Sequence, residues 1–159
     1  MKSIKFTETI HIRERPEVIF DYTQDYGNRL QWDTFLKRAD LVDGATAAGK
    51  GVKSYCVAKN GIGMETVYVS FNRPRATAVQ MTRGPYLFKT FQGSWTFRAL
   101  PDGGTEVIFL YSFTLRFPFS LAGFLVRRIL QRNVRQRLVD LKTCIERNHP
   151  RVHRAAAEA

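Results

Sequence analysis

Ser120-Leu-Ala-Gly123-Phe-Leu-Val126-Arg-Arg-Ile-Leu130-Gln-Arg-Asn-Val134-Arg-Gln-Arg137-Leu138-Val-Asp-Leu141-Lys-Thr-Cys-Ile145-Glu-Arg147 is the stretch whose period decides the fold. Its apolar residues Gly123, Val126, Leu130, Val134, Leu138, Leu141 and Ile145 are spaced 3, 4, 4, 4, 3 and 4 apart. That spacing predicts one apolar stripe on a long helix, from about Ser120 to Arg147. Arg128, Arg132, Arg135 and Lys142 fall on the opposite face, and Pro150 ends the run. A stripe of this length must be buried against another layer.

That layer lies upstream. Ile4, Phe6, Ile10 and Ile12 alternate with polar residues, which predicts a half-buried strand. Pro16 opens a short helix carrying Val18, Ile19 and Tyr22, and a second short helix is expected over 28–32. From about Leu36 to Leu115, runs rich in Val, Phe, Tyr, Trp and Thr are separated by turn signals: Asn60-Gly61, Asn72-Arg-Pro74, Arg83-Gly84-Pro85 and Pro101-Asp-Gly-Gly104. Sequential hairpins predict an antiparallel meander. The expected fold is α+β: a curved antiparallel sheet of about seven strands gripping the long C-terminal helix, with two short helices after the first strand. Residues 1–149 are expected to form one domain, and 150–159 a disordered basic and Ala-rich tail.

The composition excludes several classes. Hydrophobic residues make up 44% and charged residues 25% of 159 residues, an ordinary globular balance. No run approaches the ~20 apolar residues of a membrane span, and the N-terminus lacks the apolar core of a secretory leader. Cys56 and Cys144 are expected to be free thiols, so a cytoplasmic location is expected. His11, His149 and His153 form no metal or triad pattern, and no metal or cofactor is expected. Gly44 to Gly51 approaches a phosphate-binding loop, but Gly51 stands where Ser or Thr must follow Lys50, and a strand follows in place of a helix. The net charge is +11, with ten Lys or Arg against two acids between Arg116 and Arg154. No aromatic–basic RNA motif accompanies it, which argues against nucleic acid.

Ile10-His-Ile12 leading to Arg15-Pro16-Glu17-Val18-Ile-Phe20, then Asp25, Asn28, Gln31-Trp32-Asp33, Gly49-Lys-Gly51, Trp95-Thr-Phe97, Gly103-Gly-Thr105-Glu-Val107 and the final helix resemble the START-like, or SRPBCC, superfamily. The polyketide cyclase/dehydrase branch is the most similar. The resemblance covers nearly the whole chain and implies a hydrophobic cavity between sheet and helix, without implying one chemistry.

Strand parity nominates the cavity residues. Phe91, Trp95, Phe97, Phe109 and Tyr111 share the inward parity of the last strands, and Arg83 shares that of its own strand. Glu65 falls on a face with Val67, Val69 and Phe71, and Arg137 falls beside Val134, Leu138 and Leu141. The aromatic residues with Val134 and Leu138 would form the apolar wall, while Glu65, Arg83 and Arg137 would orient a carbonyl, hydroxyl or carboxylate. A buried Arg137 needs a partner, for which Glu65 and Glu8 are the inward acids. The leading expectation is a non-catalytic binder of a small hydrophobic molecule. Alternatives are a cyclase or dehydratase using pocket acid/base residues, and weak contact with anionic membrane through Arg128, Arg132 and Arg135. The apolar segment from Phe117 to Leu125 is read as buried strand and helix ends, a gate, a homodimer contact or a membrane touch-point.

Overall fold

The computed structural model describes residues 2–148. The tail from Pro150, with His149 and His153, lies outside the described residues. Elements follow in the order β1 (Ile4–Ile12), α1 (Pro16–Gln24), α2 (Arg29–Trp32), β2 (Leu36–Leu41), β3 (Lys53–Ala58), β4 (Gly63–Asn72), β5 (Ala76–Arg83), β6 (Phe88–Ala99), β7 (Thr105–Leu115) and α3 (Gly123–Asn148), with a 3-10 turn over Phe119–Ala122. The seven strands form one sheet in the order β1-β7-β6-β5-β4-β3-β2. Every neighbouring pair is antiparallel. The sheet curls into a half-barrel around α3, the α+β helix-grip arrangement expected. No helix among the described residues is long and apolar enough to cross a membrane.

Local chemistry sets the turns. At the β3–β4 hairpin, Gly61 takes φ 89° and the Asn60 side-chain oxygen accepts a hydrogen bond from Ile62 N at 3.0 Å. The near-phosphate-loop segment is part of the connection between β2 and β3, two antiparallel neighbours.

The stripe on α3 divides into two halves. Val134, Leu138, Leu141 and Ile145 are at most 2% exposed and pack against Phe6, Ile12, Val107 and Phe109 in one core. Each side chain so buried contributes about 1.5–3 kcal/mol. Val126 and Leu130 lie on the same stripe, yet stay half-buried because the sheet curves away beneath them. The space this leaves is the cavity.

Candidate ligand-binding site

A cavity of about 360 Å³ lies between the N-terminal half of α3 and the concave face of the sheet. Its floor is built by Met64, Thr66 and Tyr68 of β4, Thr77 and Val79 of β5, and Phe91, Trp95, Phe109 and Tyr111 of β6 and β7. Val126, Ile129, Leu130 and Val134 of α3 form the roof. The mouth opens beside Ile62 of the β3–β4 turn and Ile129 of α3, which are 50% and 51% exposed. Gly93 is required in the floor: a Cβ there would stand 2.9 Å from a Tyr111 ring carbon.

The aromatic wall is held by edge-to-face packing. Trp95 meets Phe109 at 4.4 Å between centroids, Phe109 meets Tyr111 at 4.6 Å, and Phe91 meets Tyr111 at 4.6 Å.

The inner end is polar. Asp33, at the C-terminal end of α2, is fully buried and holds two guanidinium groups. Arg137 donates to it through Nε at 3.1 Å and Nη2 at 2.8 Å; Arg29 donates through Nε at 2.9 Å. Arg137 Nη1 also donates to the Tyr111 hydroxyl at 3.0 Å. Burial alone would raise the Asp33 carboxyl, but Arg137 and Arg29 outweigh it and hold it below the usual carboxylate range. Burial opposes the charge of both arginines, and Asp33 more than restores it. Nearby, the Tyr68 hydroxyl donates to Gln24 Oε1 at 2.8 Å, so its contact with Tyr26 at 3.2 Å uses the Tyr26 proton. The Thr77 hydroxyl, in the floor, is buried without a hydrogen-bond partner among the described residues.

Not every nominated residue reaches this space. Phe91, Trp95, Phe109, Tyr111, Val134 and Arg137 line it. Phe97 packs deeper, stacked on Trp95 at 6.0 Å and edge-on to Phe20 at 5.5 Å. Leu138 borders only a small void beside Trp95 and Phe109.

Glu65 and Arg83 face away from the cavity, a correction with a definite cause. In the β4–β5 pairing Tyr68 stands opposite Val79 and Ser70 opposite Ala78, leaving Val69 extra. Likewise Glu65 stands opposite Arg83 and Thr66 opposite Met81, leaving Thr82 extra. Each extra residue reverses the parity of the strand beyond it. Phe71 therefore points inward against Phe20 at 5.2 Å, while Glu65 accepts from the Thr82 hydroxyl at 2.7 Å and lies 3.9 Å from Lys53 Nζ. Arg83 is exposed. The partner of Arg137 is accordingly Asp33. Glu8 instead accepts from Gln131 at 2.6 Å and pairs with Arg135 at 2.9 Å.

Sequence reasoning missed Arg29, Asp33, Tyr68 and Thr77. Arg29 and Asp33 are four apart around Trp32, a spacing that places a charged pair on one face of a helical turn. That was a usable signal. Nothing local points from Asp33 to Arg137, 104 residues later.

Fold and cavity together define a helix-grip protein with an internal, mostly apolar pocket. Residues 3–146 match the family described as polyketide cyclase / dehydrase and lipid transport, and the chain belongs to that family. Among curated proteins, none matches the chain in sequence. Several solved structures share its fold. TTHA0849 from Thermus thermophilus has a TM-score of 0.77 at 18% identity, covering 92% of this chain and 99% of that one. Zhui aromatase/cyclase from Streptomyces sp. R1128 has a TM-score of 0.79 at 12% identity, covering 92% and 95%. A START superfamily protein from Mycobacterium smegmatis has a TM-score of 0.76 at 11% identity, covering 90% and 97%. At such identities the likeness concerns the fold alone.

Proposed function

We propose that the protein binds a small, predominantly apolar molecule in the cavity between α3 and the sheet. The observation that carries this reading is a 360 Å³ space with aromatic and aliphatic walls and a few convergent polar groups at one end. The chemistry of those groups favours holding over turnover. Burial raises the Cys56 thiol and the Tyr68 phenol, which keeps both protonated, and Asp33 is held ionised. None of the three is poised to move a proton near neutral pH. One observation favours the cyclase alternative: the Arg137–Tyr111 donor pair is suited to stabilising an enolate.

Native mass spectrometry of the freshly purified protein is expected to show a small adduct, extractable into organic solvent. Val79→Trp, which projects an indole into the cavity, should fold and lose that adduct. An adduct retained at full occupancy in the variant would place the ligand elsewhere and overturn the reading. Conversion of a poly-β-ketone chain by the wild-type protein would favour the cyclase alternative.

A membrane encounter would give an apolar ligand a route to the mouth, and we include it in the reading. Phe117, Leu121, Phe124 and Leu125 are 74%, 81%, 75% and 55% exposed, so the strand and helix ends are not buried together. Arg128 and Arg132 are exposed beside them, whereas Arg135 is engaged by Glu8. Each basic residue near an anionic bilayer contributes about 1 kcal/mol, so binding should be weak and salt-sensitive. Co-sedimentation at low salt with phosphatidylserine vesicles, but not with phosphatidylcholine vesicles, is the expected result. Equal binding to both would reject the electrostatic part.

A further inference from the structure

The polar end of the cavity carries one more positive charge than negative. Arg29 and Arg137 are the only charged side chains in the described cavity wall, and both are more than nine-tenths buried. They share one carboxylate, and even one oxygen: Asp33 Oδ2 accepts from Arg29 at 2.9 Å and from Arg137 at 2.8 Å. Among the described residues, no second acid acts on either guanidinium. An isolated buried charge is costly, so a surplus of this kind calls for a counter-charge.

The hydrogen bonds are unbalanced in the same sense. Arg29 spends Nε on Asp33 and Nη1 on the Thr23 carbonyl at 3.4 Å. Its Nη2 donates to no described residue, and it is not among the sealed, unsatisfied atoms. The Tyr111 hydroxyl accepts from Arg137, which leaves its own proton to give. The Thr77 hydroxyl, in the same cavity wall, has no partner among the described residues. Arg29 Nη2 and the Tyr111 hydroxyl therefore each have a proton to give at the inner end.

We infer that the ligand is a monocarboxylic acid with an apolar body, its carboxylate seated against Arg29 with the Tyr111 hydroxyl within the same polar end. This rests on the cavity being a binding site and names the chemical class it takes. One negative charge balances the surplus of one. A planar carboxylate also matches the guanidinium fork, and the apolar body would run past Phe91 and Leu130 toward the mouth.

A matched series tests this on the unmodified protein by titration calorimetry: decanoate, decan-1-ol and decyltrimethylammonium. A charge-assisted pairing at a buried arginine predicts roughly 10- to 100-fold tighter binding of decanoate than of the alcohol, and the weakest binding for the cation. Arg29→Met keeps the side-chain length over Trp32 and leaves Arg137 and Asp33 as a balanced pair. It should melt no lower than the wild type and discriminate between decanoate and decan-1-ol less than about threefold. Equal binding of decanoate and decan-1-ol by the wild type would overturn the acid assignment and leave the cavity reading standing. Full discrimination retained in Arg29→Met would remove Arg29 from it. Failure of all three probes to bind, with no extractable adduct, would overturn the cavity reading and the acid assignment with it.

Discussion

Asp33→Asn is expected to lose about 3–5 kcal/mol of folding stability, read as a lowered denaturant midpoint. The residue is fully buried and accepts three hydrogen bonds from two guanidinium groups. Asparagine keeps the shape, removes the only counter-charge among the described residues and presents an N–H₂ where an acceptor is needed. Two buried cations would then repel each other without compensation. Asp40→Asn is the control, because Asp40 pairs with Arg38 at the surface, where such a bridge contributes about 0–1 kcal/mol. The pH dependence is set by the sign of the shift. The Asp33 pKa is lowered by folding, so its contribution is fully present above the unfolded value of about 3.9 and is lost as pH falls through the folded value. The wild type should therefore hold its stability through neutrality and lose it on the acid side, and Asp33→Asn should flatten that acid limb. An unchanged midpoint in the variant would refute the charge account.

Trp32→Ala should cost about 3–5 kcal/mol, comparable to the loss at Asp33 and of different origin. Trp32 is 1% exposed, packs edge-on against Trp95 at 6.0 Å, and carries the Arg29 guanidinium 4.8 Å above its ring. Truncation opens a void and removes the surface on which Arg29 rests. Trp95 provides the contrast, since one side of it already borders the cavity and so has fewer packing partners to lose. Trp95→Ala should cost less stability than Trp32→Ala and weaken ligand binding more. Thermal melts and decanoate titrations on both variants check the ordering, and a Trp32→Ala melting temperature equal to that of the wild type would contradict it.

The contrast between legible and illegible features is physical. The α3 stripe, the first strand and the Asn60-Gly61 turn were readable because period and backbone preference are local properties. The inward aromatics of β6 and β7 were readable because their pairing runs in register from Thr90/Thr114 to Ala99/Thr105. Glu65 and Arg83 were misplaced because Val69 and Thr82 interrupt the alternation, and no residue type marks those bulges. The charged cluster was half readable. Arg137 stood out on an apolar face, but its counter-ion arrives through tertiary packing of α2 against α3, which no spacing encodes.

The two halves of α3 have a mechanical meaning. Clamped by Val134, Leu138, Leu141 and Ile145, seated again at the buried Gly123 beside Ile4, and underlain by empty space at Val126 and Leu130, the helix is a bridge with one open span. The span between these supports has fewer packed neighbours than either of them, so bending there costs the least core packing. On the proposed reading, a molecule lodged beneath the span has its inner end at the Val134 support, where the arginines stand.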